Sequence, residues 1–209
     1  ENALKLVQQY GERLFVDTPI VFTGIKNSDT SLPAFTHKIS AIVESENVFE
    51  TMRLSTQLFP LTTNIYLITG RALTRQIAEQ DIQQLSLRLK PTLNILNNES
   101  EASLLNKINN ITSDSVIIFD DFSRDKDGFF INRTEVLKAI TATVRVPLFV
   151  INQHDLMEGV IGGVVTSGFA QGQTAADKVL QITLGAKIED LPVEVSLSNK
   201  YIIQYPELL

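Results

Sequence analysis

The sequence predicts an α/β fold with doubly wound parallel sheets, and two observations carry this prediction. Short apolar runs of four or five residues recur along the chain, and segments with helical periodicity separate them. Such runs are typical of strands that are buried on both faces of a parallel sheet. The second observation is the Gly-rich stretch from Glu158 to Gly185, in which a strand runs directly into a helix. Junctions of this kind are where α/β proteins place ligands.

The first half of the chain alternates between helical and strand patterns. The apolar run 19–22 predicts a strand that ends at Thr23 and Gly24, and a later helix ends before Pro60, which cannot continue it. The predicted elements are a helix over 3–15, strands over 19–22 and 39–43, a helix over 46–59, a strand over 65–68 that ends at Thr69 and Gly70, and a helix over 73–89.

The second half continues the same alternation. A strand over 116–119 ends at Asp120 and Asp121, and a strand over 147–151 ends at Asn152. The other predicted elements are a strand over 93–96, helices over 99–111 and 134–144, and late strands over 193–197 and 201–203. About five strand-helix units therefore follow one another, which fits either one sheet or two.

Glycine is concentrated in the stretch that contains Gly162, Gly163, Gly168 and Gly172. Such clusters indicate positions where the backbone approaches another group closely or takes a positive φ. A helix is predicted to start near Phe169 and to end at Gly185. Its apolar residues fall on one face: Ala175, Ala176, Val179, Leu180, Ile182 and Leu184.

Composition excludes several classes of protein. The 209 residues are 44% hydrophobic, enough for a substantial core, and the net charge of −6 argues against a nucleic-acid partner. No apolar run approaches the 18 residues that indicate a membrane span. The absence of cysteine rules out disulfides, thiolate metal ligands and cysteine nucleophiles.

Catalytic signatures are missing from the sequence. It contains no nucleophile elbow, no Walker loop and no dinucleotide-binding glycine motif. The two histidines, His37 and His154, lie in separate predicted loops, so no histidine metal site is expected. The segment 123–128 matches a calcium loop poorly and is predicted to be a polar turn. We therefore predict a protein without enzymatic activity, cofactor or metal.

Asp120 and Asp121 are the most conspicuous polar pair, because they follow a predicted buried strand directly. Paired carboxylates can act as acid and base, can bind an amino or hydroxyl group of a ligand, or can be purely structural. Phe122, the next residue, could stack on a ligand or fill the interior. The sequence leaves these alternatives open.

Several segments resemble one family. The pieces FDDFSRDKDGFF, PLFVI, GVIGGVVTSGFAQGQTAADKVLQITLG and LPVEVSLSNKYIIQYPELL resemble the C-terminal part of ABC transporter substrate-binding proteins with the type I periplasmic-binding fold. PIVFTGI, AIVESENVFETMRLSTQLFP and NIYLITG resemble the middle of the same family. The chain is still more similar to the form that is fused to bacterial sensor kinases or diguanylate cyclases as an extracytoplasmic sensor.

The resemblance implies two Rossmann-like lobes with ligand in the cleft between them. Residues 1–38 would belong to lobe one, 39–150 to lobe two, 151–190 to a return into lobe one, and 191–209 to a hinge crossing and C-terminal tail. Family members carry two or three further strand-helix units before the position of Glu1, which implies an incomplete first lobe here. An incomplete lobe would expose a sheet edge, so a homodimer is expected.

The resemblance also implies which residues contact the ligand, namely those that follow the strands. Asp121 or Asp155 would pair with an amino group, Arg71 with an acid, and an aromatic ring would stack on a ligand ring. The backbone N–H groups of 167–169 would hold a carboxylate. The complete set is Thr23, Gly24, Gly70, Arg71, Asp120, Asp121, Phe122, Asn152, His154, Asp155, Ser167, Gly168 and Phe169.

The sequence thus predicts the solute-binding sensor domain of a bacterial signal-transduction protein. The resemblance places it on the periplasmic or extracellular face, anchored to the membrane only through flanking segments. Its ligand would be a small, amino-acid-like molecule. The alternatives are the solute-binding component of an ABC transporter, an intracellular regulator with a similar effector domain, and a small α/β enzyme that uses Asp120 or Asp121.

Overall fold

The computed structural model describes residues 2–26, 39–44, 47–70, 83, 86–196 and 199–208. The helices are α1 (Asn2–Leu14), α2 (Asn47–Leu58), α3 (Glu101–Asn109), α4 (Arg133–Thr143), α5 (Gly168–Thr183) and α6 (Tyr205–Leu208). The strands are β1 (Ile20–Lys26), β2 (Ile39–Glu44), β3 (Asn64–Ile68), β4 (Thr92–Leu96), β5 (Ser115–Phe119), β6 (Leu148–Val150), β7 (Gly162–Thr166), β8 (Glu194–Ser196) and β9 (Asn199–Ile203). The predicted α/β class is confirmed, whereas the helix predicted over 73–89 lies mostly outside the described residues.

The chain divides into two compact units. The first contains Glu1–Glu46 and Ser167–Asn199, and the second contains Asn47–Thr166 and Lys200–Leu209. These divisions differ from the predicted ones, because β2 pairs with β1 inside the first unit and β7 pairs with β6 inside the second. The late strands are also separated, with β8 in the first unit and β9 in the second.

The first unit is built on a three-stranded sheet in the order β1-β2-β8, and both strand pairs are parallel. Leu4 of α1 packs with Ala41 and Val43 of β2 to form its small apolar cluster. The prediction that β1 ends at Thr23 and Gly24 is wrong. The strand continues to Lys26 through a bulge between Phe22 and Ile25, and Gly24 takes a φ of +73° there.

Helix α5 packs on β1 and β2 of this unit and buries two polar residues, Gln171 and Lys178. The Lys178 ammonium donates to the Pro192 carbonyl (2.8 Å) and to the Glu194 carboxylate (2.9 Å), so its burial is compensated. The predicted apolar face is divided, because Leu180 and Leu184 are exposed whereas Ala175 and Ile182 are half-buried. Ser167 caps the helix, and it ends before Gly185, whose φ is +101°.

The second unit is built on a six-stranded sheet in the order β4-β3-β5-β6-β7-β9. The pairs β3–β4, β3–β5, β5–β6 and β6–β7 are parallel. The chain runs from β3 to β4 in one direction and then to β5 on the other side of β3. The winding of the sheet therefore reverses between β3 and β5, and ligands of open α/β sheets bind at the carboxyl ends of such strands.

The central strand β5 is buried along its whole length, and its alternate residues feed two apolar clusters. Ile117 and Phe119 pack with residues of α3 and α4, whereas Val116 and Ile118 pack with Met52 of α2 on the opposite face. Burial of each such side chain stabilises the fold by about 1.5–3 kcal/mol. The two clusters hold the strand ends of this sheet in fixed positions.

Two glycines of β7 sit where neighbouring backbone approaches closely, as predicted. A Cβ on Gly162 would lie 1.9 Å from the Ile202 carbonyl oxygen, and one on Gly163 would lie 2.0 Å from the Val150 carbonyl oxygen. Gly172, by contrast, has open space at its Cβ position. Part of the glycine cluster is therefore required by sheet packing.

Candidate functional site

Polar residues collect at the carboxyl edge of the second unit's sheet. Thr69 follows β3, Asp120 and Asp121 follow β5, and Asn152 follows β6. Because β3 and β5 flank the point where the winding reverses, this edge is where an α/β sheet is expected to hold a ligand. The predicted contacts in this unit therefore come together at one edge, with the exceptions given below.

Arg133, the first residue of α4, joins the carboxylates of Asp121 and Asp155. Its Nε donates to Asp155 Oδ1 (2.8 Å), and a second nitrogen contacts the other Asp155 oxygen. Its remaining terminal nitrogen donates to Asp121 Oδ1 (2.9 Å). The guanidinium also lies over the ring of Phe119, 5.0 Å from its centre. This arrangement uses the planar fork that only arginine offers.

Charge and burial oppose each other at Arg133. Burial lowers the pKa of its guanidinium, but the hydrogen bond and the negative charge of Asp155 raise it more, helped by Asp121 and Asp120. The pKa of Arg133 is therefore held above its ordinary value, and the side chain stays cationic. Asp155, Asp121 and Asp120 all act on this guanidinium, so the edge is rich in carboxyl groups.

Asp120 is held from both sides by residues of neighbouring strands. Its carboxylate accepts a hydrogen bond from Thr69 Oγ1 (2.8 Å), and its carbonyl accepts from Asn152 Nδ2 (3.2 Å) and from Arg133. Only 6% of the residue is exposed. Asp120 therefore connects the ends of β3, β5 and β6 into one network.

A short hairpin over residues 123–131 borders this network. Asp125 Oδ1 accepts from the backbone N–H groups of Asp127 (2.9 Å) and Phe129 (2.8 Å), and Gly128 turns the chain with a φ of +87°. The hairpin is tied to the network by Ser123, whose hydroxyl donates to Asp121 Oδ2 (3.2 Å). The segment resembling a calcium loop is therefore a hairpin turn, as predicted from its polar sequence.

The remaining predicted residues of this unit take different positions. His154 is exposed, with its Nε2 3.4 Å from Asp155 Oδ1. Phe122 is 1% exposed and belongs to the apolar core, so its ring does not face solvent. Gly70 is buried at the end of β3, and Arg71 lies outside the described residues.

The predicted residues of the first unit lie around the start of α5. Ser167 Oγ accepts the backbone N–H of Ala170 (3.4 Å) as the helix cap. Thr23 donates to Gln171 Oε1 (3.3 Å), and Gly24 lies beside the same oxygen. Gly168 is exposed, and the ring of Phe169 is 83% exposed. Gln171 thus links the β1 bulge to the first turns of α5.

The sequence did not predict three residues that organise these sites. Arg133 and Thr69 hold the polar edge of the second unit, and Gln171 holds the residues around the start of α5. One signal for Arg133 was present. The helix dipole favours carboxylates in the first turn and disfavours a cation there. An arginine at this position therefore indicates that negative charge lies nearby. Gln171 carried no comparable signal, because a glutamine in a helix is ordinarily exposed.

The described part of the chain lacks two features. No group of three or more histidine, cysteine, aspartate or glutamate side chains there has the arrangement of a metal site. No helix among these residues is long and apolar enough to cross a membrane.

Comparison with known proteins places this geometry in a family. The family model described as ABC transporter substrate binding protein matches residues 8–208. The chain belongs to this family. No curated protein sequence matches it.

Solved structures with the same fold include substrate-binding proteins. The ABC domain from Streptococcus pneumonia, in complex with L-Trp, is 13% identical, with a TM-score of 0.59 over 81% of this chain and 56% of that one. A ligand-free, open substrate binding protein with adhesive properties from Clostridium difficile is 14% identical, with a TM-score of 0.66 over 92% and 66%. A conserved domain protein from Vibrio cholerae is 14% identical, with a TM-score of 0.64 over 97% and 75%. This chain therefore spans 56% of the length of the Streptococcus protein.

Proposed function

We propose that this chain binds a small solute with an amino group at the carboxyl edge of the six-stranded sheet. The observation that carries the proposal is the network of Arg133 with Asp121 and Asp155, which lies where the sheet winding reverses. Carboxylates form strong hydrogen bonds with ammonium groups, so the Asp121 and Asp155 side chains favour an amino group on the ligand. Family membership supports solute binding as the general activity.

Asp121 is the carboxylate that we expect to contact the amino group. Its side chain is 17% exposed, whereas that of Asp155 is 4% exposed. A carboxylate accepts several hydrogen bonds, so an ammonium can be added to a carboxylate that already binds arginine. Hydrogen bonds that involve charged groups are worth about 1.5–3 kcal/mol each, which is about a 10- to 100-fold change in affinity.

The test is a thermal-shift screen of amino acids, primary amines, small acids and sugars. L-Trp is included because the Streptococcus structure contains it. A ligand at about a hundred times its dissociation constant stabilises the folded state by about 2.7 kcal/mol. We expect amines and amino acids to raise the melting temperature. Binding confined to sugars or to acids without an amino group would refute the proposed ligand class.

The decisive variant is Asp121→Asn, which we expect to weaken amine binding about 10- to 100-fold. Its matched control is Asp114→Asn, because Asp114 lies at the opposite, amino end of the same strand and bonds to Thr63 there. Isothermal titration of both variants separates loss of the site from a general effect of removing a charge. Equal affinity in the two variants would contradict the assignment.

Regarding the biological role, we propose that binding is non-enzymatic and extracytoplasmic. Asp120 and Asp121 are engaged with Thr69, Ser123 and Arg133, which disfavours an acid-base pair. The resemblance to fused sensors favours a signalling protein, while the family description supports a transport component equally well. The gene on either side distinguishes the two roles. An adjoining kinase or cyclase domain supports the sensor, and a stop codon beside transporter genes supports transport.

A further inference from the structure

Asn47, the first residue of α2, makes an unusual pair of buried hydrogen bonds. Its single Nδ2 atom donates to the Ile151 carbonyl (2.7 Å) and to Thr166 Oγ1 (2.8 Å). The residue is 8% exposed. One side-chain amide therefore joins the end of β6 to the end of β7. Removing it takes a hydrogen-bond donor away from two buried oxygens, which is costly in a protein interior.

The Ile151 carbonyl is directly connected to the acidic network. Asn152 follows it and donates to the Asp120 carbonyl, and the short helix Gln153–Asp155 then delivers Asp155 to Arg133. The Ile151 carbonyl also accepts the backbone N–H of Thr166 (3.0 Å). A shift of this carbonyl would move the chain that carries Asp155.

The same pair of residues marks two boundaries of the second unit. The chain enters it between Glu46 and Asn47 and leaves it between Thr166 and Ser167. A third crossing lies between Asn199 and Lys200. Asn47 and Thr166, which flank the first two crossings, are hydrogen-bonded to each other. Ser167, the next residue, caps α5. The segment 152–155 is therefore connected to these two crossings by the hydrogen bonds that Asn47 makes with Ile151 and Thr166.

We propose that Asn47 is a positioning residue. It holds the segment 152–155, and through it Asp155 and Arg133, in the arrangement that forms the acidic network, and it links this segment to the first two chain crossings. Only its effect on ligand affinity rests on the proposed function. Its effect on the network does not, so the two can be tested separately.

Thr51 provides a matched control. It lies one turn further along α2, is completely buried, and bonds to the same strand, because its hydroxyl accepts from Val164 N–H (3.1 Å). Thr51→Val removes a buried hydrogen bond between α2 and β7 without touching Ile151. It therefore reports the general loss of stability that Asn47→Ala also causes.

The experiment uses ligand-free protein and follows hydrogen exchange by NMR at Arg133 Nε–H and at the amides of Asp155 and Leu156, which are bonded within this segment. We expect Asn47→Ala to speed exchange at these groups about tenfold more than Thr51→Val does, after correction for global stability. Equal exchange in the two variants would overturn the proposal.

A milder variant covers the case in which Asn47→Ala does not fold. Thr166→Val removes one of the two acceptors that orient the Asn47 amide, so it loosens the bond from that amide to the Ile151 carbonyl without deleting its donor. We expect faster exchange at Arg133 Nε–H than in Thr51→Val. Unchanged exchange would again overturn the proposal. If none of the screened amines binds the wild-type chain, the proposed function fails, but these exchange rates still decide the role of Asn47.

Discussion

At the scale of single residues, Arg133 is the most consequential side chain of the acidic network. It neutralises part of the charge of Asp121 and Asp155, and the Asp155 carboxylate it contacts is only 4% exposed. Removing one partner of such a pair is far more costly than removing a surface pair, because the remaining charge stays buried.

We predict that Arg133→Gln lowers the free energy of unfolding by about 3 kcal/mol. Lys138→Gln is the control, since Lys138 lies on the same helix and pairs with Glu135, with both side chains more than half exposed. That control should change stability by less than about 1 kcal/mol. Urea denaturation of both variants measures the difference, and equal losses would show that Arg133 is no more than a surface cation.

At the scale of elements, strand β7 and helix α5 differ in whether they require glycine. Gly163 is required because the Val150 carbonyl oxygen occupies the space of a Cβ, whereas Gly172 lies in a helix with open space around it. Glycine in a helix interior costs about 1 kcal/mol relative to alanine. The same residue type is therefore necessary in the strand and dispensable in the helix.

We predict that Gly163→Ala destabilises the protein by about 3 kcal/mol or more through the clash with backbone. Gly172→Ala should instead stabilise it by up to about 1 kcal/mol. Thermal unfolding measures both. A neutral Gly163→Ala would mean that β6 and β7 separate easily, and a destabilising Gly172→Ala would indicate that a partner approaches this part of α5.

A second prediction at this scale concerns the hairpin over 123–131. Asp125 accepts two backbone N–H groups, whereas the exposed side chain of Asp127 pairs with the adjacent Lys126 in the described part of the chain. Asp125→Ala should therefore speed hydrogen exchange of the Phe129 amide about tenfold, and Asp127→Ala should leave it within about twofold. Equal exchange in the two variants would show that the turn does not depend on Asp125.

At the scale of the whole molecule, acid stability reflects two carboxyl groups outside the acidic network, those of Glu99 and Asp114. Burial raises the pKa of Glu99, but hydrogen bonds from Lys107 and Ser103 outweigh it, and the pKa is lowered overall. Hydrogen bonds from Thr112 and Thr63 lower the pKa of Asp114. A lowered pKa in the folded state means that stability is present at neutral pH and is lost as the pH falls.

We predict that stability falls as the pH drops below about 4.5, the ordinary value for Glu99, and continues to fall through its lower folded-state pKa. The variant carrying both Glu99→Gln and Asp114→Asn should lose less stability between pH 7 and pH 3 than the wild type does. Asp177→Asn, at an exposed position of α5, is the control and should behave as the wild type. Urea unfolding at both pH values gives the comparison. Equal losses in the wild type and the double variant would contradict it.

The homodimer stays a prediction, and α5 offers a surface on which to test it. Leu184, the residue that follows the last helical residue, is 79% exposed and continues the row of exposed Val179 and Leu180. If the chain associates through this face, Leu184→Glu should lower the association seen by sedimentation at increasing concentration. Leu61→Glu is the control, because Leu61 is 87% exposed in the second unit. Association that both variants retain would exclude this face.

The sequence by itself determined the α/β class and most element positions, because short apolar runs and helix stops are local properties of the chain. It also located Asp120, Asp121 and Asn152, since each directly follows a buried strand. Tertiary structure alone decided that β2 belongs to the first unit, because strand pairing joins residues that are distant along the chain. It likewise decided that Arg133 bonds Asp155, 22 residues away, and that α5 turns Lys178 rather than Leu180 toward the sheet. Periodicity cannot distinguish these outcomes, because they depend on which partners are available to compensate a buried charge.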